Sequence, residues 1–379
     1  MLVLGAVSLL NDSASEIITP LLPVFLTLAL GTGPAIVGLV EGLAEGTASL
    51  LKLASGWLAD RGWNAKRIVV GGYAVSNVAR PMIGLALGWP WVMGLRFLDR
   101  VGKGLRTSPR DAMIAAAVPA SMRGRAFGFH RGMDHAGAMI GPLFAFALLA
   151  AGLEMQQVFL ASAIPGVIAL LVLIFGLETP ATVKVEPPPP LRWRDLDGRL
   201  RGLILASGAL AFASVPEAFV VLWAIGSGLE VAYVPLLWAA AHLIKAAVSL
   251  PAGIISDRIG RLPVVAGGWA ARVVVLIGIG FAADGPLLVW LLFIAYGVSL
   301  AMTEGAERAL IGDHAPAAHK ATAFGIFHLV SSVLLLPGAF LFGLIWEWAG
   351  RTTAFLTAAV LTALSAAMLL RMLRGRTGI

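Results

Sequence analysis

The chain of 379 residues contains no cysteine. That excludes a disulfide framework, a thiolate metal centre and a cysteine nucleophile. Charge is scarce as well: Asp, Glu, Lys and Arg make up 13% of the residues, about half the ~25% typical of a soluble domain. No H-E-x-x-H, G-x-S-x-G or P-loop lysine motif occurs, which removes the common hydrolase and nucleotide-binding readings and leaves no sign of an enzyme. What fills the space is apolar: 59% of the residues are hydrophobic and the mean hydropathy is +0.88. Ordinary soluble enzymes, disordered tails and nucleic-acid modules are excluded. This is an integral membrane protein.

A helix that crosses the hydrocarbon core needs about 20 predominantly apolar residues. Breaks at charge clusters and Gly/Pro turns divide the chain into about twelve such segments. They run over 2–30, 33–58, 67–88, 90–117, 124–152 and 156–177, then 200–226, 230–255, 263–283, 286–312, 321–347 and 352–371. The first is too long for a signal-peptide core and has no basic leader, so it is read as helix 1. Residues 178–199 differ: Lys184, Glu186, the run Pro187–Pro190, then Arg192, Arg194, Asp195, Asp197 and Arg199. Consecutive prolines cannot continue a helix, so this stretch is expected to link a bundle at 1–177 to a second at 200–379.

Loop charges predict the orientation. Arg61, Lys66 and Arg67, then Arg123 and Arg125, the linker, Arg258 and Arg261, Lys320, and Arg371, Arg374 and Arg376 fall on one side. The alternate loops carry Glu154, Glu230 and Asp284, with Arg351 the main exception. The positive-inside rule then places both termini in the cytoplasm, and the net charge of +7 reflects loop bias rather than a nucleic-acid partner.

The strongest internal signal is a duplication. Gly56-Trp57-Leu58-Ala59-Asp60-Arg61 recurs as Gly253-Ile254-Ile255-Ser256-Asp257-Arg258, and the same offset carries Ala126-Phe127-Gly128 onto Ala323-Phe324-Gly325 and Pro119 onto Pro316. It also sets Arg110-Asp111-Ala112 opposite Glu307-Arg308-Ala309. Two homologous halves in one orientation describe a parallel repeat, which leaves a cavity between halves that can be exposed alternately to each side.

On these residues the chain resembles the major facilitator superfamily along essentially its whole length. The signature G-x-L-a-D-r-x-G-r-k of that family is matched by Gly253 through Arg261, and by Gly56, Asp60 and Arg61 in a first copy that departs at Trp63. The resemblance implies a conformational gate at Gly56, Asp60, Arg61, Gly253, Asp257 and Arg258. The glycines would permit close helix contact, and the aspartates would pair with a nearby Arg or a helix N-terminus. Helix 5 is similar to the antiporter signature of the family at Gly128, Gly137, Gly141 and Pro142, with Ala145-Phe146 in place of its last two glycines. That implies export. Arg100-Val101-Gly102-Lys103-Gly104 is similar to an R-x-x-q-G element associated with proton coupling. The fold implied is all-α, with twelve transmembrane helices in two pseudo-symmetric six-helix bundles.

Ionisable groups inside a span cost roughly 2.5–3.5 kcal/mol each and normally face a cavity or a partner. Helix 1 has Asp12 and Glu16, one turn apart; helix 2 has Glu41, Glu45 and Lys52. Helix 4 has Arg96, Asp99, Arg100, Lys103, Arg106, Arg110 and Asp111, and helix 5 has His130, Arg131, Asp134 and His135. The second half is sparser, with Glu217, His242, Lys245, Glu304, Glu307, Arg308 and His328, so coupling chemistry is expected mainly in the first half. Desolvation favours the neutral form of a carboxyl and a neighbouring guanidinium the charged form. Glu16, Glu45, Asp99 or Asp134 is therefore expected to carry a coupling proton, with Arg96, Arg100 and Arg131 as switching partners. The alternative is that these are permanent ion pairs between helices. His130 and His135 are candidate metal ligands, but five residues apart on a helix they are poorly placed to share an ion.

The sequence thus predicts a monomeric, multi-pass carrier of the cytoplasmic membrane, moving a small solute by alternating access, with protons and the lipid bilayer as partners and no cofactor. Proton-driven efflux is the leading reading. Uptake of an organic anion or zwitterion, and divalent metal transport, remain alternatives. Most of the tryptophans, such as Trp89, Trp91, Trp346 and Trp348, lie near expected span ends and read as interfacial anchors.

Overall fold

In lipid every backbone N–H and C=O must be satisfied within the protein, so an apolar chain of this kind has to form helices. The computed structural model describes residues 2–60, 63–119, 123–177, 193, 196–315 and 320–374, and among these there is no strand. In chain order the helices are α1 (Leu2–Ile18), α2 (Leu22–Val24), α3 (Pro34–Asp60), α4 (Ala65–Met82), α5 (Trp89–Ala116), α6 (Arg123–Ala150), α7 (Met155–Ala161) and α8 (Ala163–Gly176). There follow α9 (Gly198–Ala213), α10 (Glu217–Gly226), α11 (Val234–Ile259), α12 (Arg261–Phe281), α13 (Pro286–His314) and α14 (Lys320–Arg374). Gly350, with φ 84° and ψ 164°, interrupts α14; a positive φ is the conformation that glycine alone adopts without strain.

Local chemistry sets several boundaries. Asn64 caps α4 by accepting from the Arg67 amide at 3.1 Å, and Asp197 caps α9 by accepting from the Arg199 amide at 3.1 Å. Glu154 and Gln157 form a reciprocal capping box at α7. Such caps satisfy amides that the first turn leaves open. Two interruptions fall within spans. A π-helical turn at Phe25–Ala29 follows α2, and Ser214, Val215 and Pro216 separate α9 from α10.

Ten helical stretches among the described residues are long and apolar enough to cross a membrane; the last of them, Ala323–Met372, is the 50-residue stretch that Gly350 divides. The helix α5 is not among the ten: it has the length but carries Arg96, Asp99, Arg100, Lys103, Arg106, Arg110 and Asp111. The expected linker falls mostly outside the described residues; Lys184, Glu186, Pro187–Pro190, Arg192, Arg194 and Asp195 lie there.

The chain divides into two units. The first comprises Met1–Thr32, Leu43–Pro187 and Glu230–His242. Within it α1 packs on α6 and α8, and α4 on α5, around Leu4, Val7, Val69, Tyr73, Met113 and Leu173. The second comprises Gly33–Gly42, Pro188–Leu229 and Leu243–Ile379. There α9 and α12 pack on α14, and α12 on α13, around Leu200, Ile204, Trp269, Ile311 and Phe327. In lipid, apolar side chains gain little by leaving the solvent, so close packing at small residues holds helices together. A Cβ at Gly102 would meet Ser76 Oγ and the Gly72 backbone, and one at Gly338 would meet the Phe212 backbone.

Candidate functional site

In the first unit the charged face of α5 is met by α4 and α1. Asp99 is fully buried, and Arg80 of α4 donates from Nε to its Oδ1 at 2.8 Å. Two more guanidinium groups stand at its Oδ2, Arg96 at 3.6 Å and Arg100 at 3.7 Å. Arg80 continues into α1 through Asn11 Oδ1 at 2.9 Å and the Asn11 carbonyl at 3.2 Å. Arg106 donates to Ser76 Oγ at 2.6 Å and lies 4.6 Å from the Tyr73 ring centre. Arg100 also reaches Glu45 of α3 at 3.6 Å. One carboxylate therefore holds three cations within ion-pair distance in a buried site, a density that persists only where each charge has compensation.

A second group joins α1 and α6. Ser8 donates to Asp134, whose other oxygen faces His130 Nδ1 at 3.4 Å and Arg131 at 3.7 Å. Arg131 is exposed there and His130 buried. Asp12 accepts from Asn11 Nδ2 at 3.1 Å, and Glu16 from the indole N–H of Trp238 at 2.9 Å. Gly137 and Gly141 of α6 lie against the α1 backbone at Leu9 and Ser13, with Pro142 buried beside them, whereas Gly128 faces open space. Three of the four antiporter-like positions thus sit in or beside the α1–α6 packing.

The second unit contains a cavity of about 340 Å³ lined by residues that include Ser207, Arg272, Thr303, Glu304, Glu307 and Ser331. Arg272 is buried and donates to Thr303 Oγ1 at 3.2 Å. The buried indole of Trp269 donates to Glu307 Oε1 at 2.6 Å. Glu304 forms an exposed pair with Arg308 at 2.7 Å, and Glu217 pairs with Lys245. Glu41 is half-buried on the part of α3 that belongs to this unit.

Of the gate residues, Asp257 pairs with Arg261 rather than with the adjacent Arg258, which is exposed. Arg261 reaches on to Asp313 at 3.4 Å and Ser256 Oγ at 3.0 Å. The turn that allows this has Gly260 at φ 96°. The close contact expected at Gly253 is not made: a Cβ there would meet no described atom within 4 Å. Gly56 and Asp60 lie on α3 with side chains outside the description, and Arg61 lies outside the described residues. His135 is exposed, and the described residues contain no group of three or more His, Cys, Asp or Glu able to hold a metal ion.

Sequence reasoning missed Arg80, Arg272, Trp238 and Trp269. Arg80 and Arg272 carried a signal that a search for runs of charge overlooks, since each is a lone cation deep in an apolar span. The reading of tryptophan as an interfacial anchor fails at Trp238 and Trp269, which are buried donors to carboxylates.

Comparison with known proteins agrees with this architecture. A family model described as Major Facilitator Superfamily matches residues 4–333 and 219–378. An uncharacterised MFS-type transporter of Methanocaldococcus jannaschii is 31% identical over 97% of this chain and 93% of its own. The multidrug resistance protein MdtH of Photorhabdus laumondii is 31% identical over 35% of this chain and 33% of its own. Among solved structures, a bacterial homologue of the human lysosomal transporter Spinster, inward-facing and occupied, superposes with TM-score 0.82 at 16% identity, covering 98% of this chain and 96% of that one. The nucleoside transporter NupG, as its D323A mutant, gives 0.82 at 14% identity over 98% and 99%.

Proposed function

Because this chain belongs to the major facilitator superfamily, and is therefore a multi-pass membrane transporter of a small molecule, we propose that it is a proton-coupled antiporter that exports its solute by alternating access. Twelve spans follow if α5 is counted and α14 is divided at Gly350. The basic loops favour cytoplasmic termini in the cytoplasmic membrane, and the internal repeat, which puts two similar halves in one chain, favours a monomer.

The observation that carries the reading is the buried Asp99 with Arg80, Arg96 and Arg100 around it. A carboxylate shared by several cations can exchange partners, and a proton can take the place of one of them. Glu45 is bound through the same Arg100, so a change at either carboxylate is felt at the other. Glu16 and Asp134 supply two further acids tied to α1. The antiporter-like glycines and the partial similarity to MdtH support export.

The test is flux of ethidium in proteoliposomes under an imposed pH gradient, with Glu16→Gln, Glu45→Gln, Asp99→Asn and Asp134→Asn compared in turn. At least one variant is expected to lose gradient-driven flux while retaining solute exchange at equal pH. Unchanged coupling in all four would refute proton coupling through these groups.

A further inference from the structure

The cavity of the second unit holds two charges that the rest of the unit leaves open. Arg272 is 3% exposed. Among the described residues it has no carboxylate within 4.0 Å, and its one hydrogen bond goes to Thr303 Oγ1. A guanidinium carries five N–H donors, and here Nε is buried without an acceptor. Glu307 is likewise without a cation within 4.0 Å among the described residues; its carboxylate is oriented by the neutral indole N–H of Trp269. The two charges feel each other electrostatically but are not joined in an ion pair. Both line the same cavity, together with Ser331, whose Oγ is buried and has no partner.

A cation and an anion that could neutralise each other, yet meet through the side chain of Thr303 rather than directly, pose a physical question. Buried charges need compensation, and the unit does not close them on one another. The complement is a molecule with both signs, spaced to reach both. We infer that this cavity is a binding subsite for a zwitterionic solute, with its carboxylate or phosphate on Arg272 and its amine on Glu307. Ser331 and Ser207 line the site as neutral hydrogen-bonding groups. Trp269 acts as a positioning residue, because it holds the Glu307 carboxylate without neutralising it. The volume suits a metabolite of modest size, at the lower end of the ~300–1,000 Å³ of known ligand pockets. The assignment names a substrate class for the transporter proposed above and rests on that reading for its use, but its binding test does not depend on transport.

The test is calorimetric binding to the purified full-length protein in detergent, with four probes: 4-aminobutyrate and leucine as zwitterions, succinate as an anion alone, and putrescine as a cation alone. At least one zwitterion is expected to bind, and at least tenfold more tightly than succinate or putrescine. Arg272→Gln and Glu307→Gln are each expected to weaken it at least tenfold, while Arg272→Lys retains part of the affinity. Trp269→Phe keeps both charges and is expected to weaken the zwitterion less than Glu307→Gln does. Succinate or putrescine binding as well as the zwitterions, no zwitterion binding, or zwitterion affinity unchanged in both Arg272→Gln and Glu307→Gln would each overturn the proposal. Gradient-driven flux of ethidium and of any zwitterion that binds, measured on the same protein reconstituted in proteoliposomes, separates the two readings. Ethidium flux retained beside failed zwitterion binding removes the subsite and leaves the carrier; zwitterion binding without flux of either solute does the reverse.

Discussion

The two units place the same kind of bond at the same kind of crossing, with donor and acceptor exchanged. In the first, Gly72 on α4 lies against α5, and one turn on Ser76 accepts from Arg106 of α5 at 2.6 Å. In the second, Gly268 on α12 lies against Thr303 of α13, and one turn on Arg272 donates to that threonine at 3.2 Å. The aromatic residue after each glycine also differs in use: Tyr73 lies under the guanidinium of Arg106, whereas Trp269 gives its N–H to Glu307. The shared glycine crossing belongs to the fold. The side on which the cation stands is free to vary, and its surroundings decide what it does. In the first unit the neighbouring Asp99 gathers three arginines into a closed network; in the second the lone arginine borders open space. One unit shares its charges among several partners and the other turns them toward the cavity.

The sharpest way to break this contrast is to remove one carboxylate from each unit. Asp99→Asn removes the one anion that Arg80, Arg96 and Arg100 share and is expected to destabilise by about 3–5 kcal/mol, seen as a large fall in thermal unfolding temperature. Glu304→Gln breaks a pair whose side chains are 48% and 60% exposed, and its effect is expected to stay under about 1 kcal/mol. Equal losses would show that the first network is not special.

A second comparison concerns the glycines. Gly102→Leu pushes a side chain into Ser76 and the α4 backbone and is expected to cost about 1–3 kcal/mol. Gly253→Ala enters open space in a helix and is expected to be neutral or to stabilise by up to about 1 kcal/mol. Gly102→Leu unfolding at the wild-type temperature would remove close packing as the basis of the α4–α5 contact.

The narrowest difference lies in the exchanged bond itself. A double-mutant cycle with Ser76→Ala and Arg106→Gln is expected to give a coupling of about 1.5–3 kcal/mol, as for a bond to a charged group. The cycle with Arg272→Gln and Thr303→Val is expected to give about 1 kcal/mol less, in keeping with its longer distance. A larger coupling in the second unit would reverse the order expected from the two distances.

Much of the fold was legible because lipid leaves an apolar chain few options. The segments read at 67–88 and 263–283 appear as α4 with the turn after it and as α12, within a few residues. The charged face of α5 was legible because seven ionisable residues in one segment are conspicuous. Their partners were not, since a hydrogen bond such as Arg80 to Asn11 joins helices whose approach no single-sequence period records. The breaks at Pro216 and at the π-helical turn were also missed, because a hydropathy window averages across them. The pairing of Asp257 with Arg261 rather than Arg258 depends on the turn at Gly260, where a left-handed residue redirects the chain.

The gap between α9 and α10 leaves the carbonyl of Val215 with no helical amide to receive, and the hydroxyl of Tyr296 on α13 supplies the donor. Ser214, the first residue of that gap, also forms part of the cavity wall. A pocket bounded by an unfinished helix has a seam rather than a solid side, sealed by one phenol from a different helix. Anything that shifts α13 must therefore either carry that seal along or open it, which makes the break between α9 and α10 the natural place for occupancy of the pocket to be felt by the backbone.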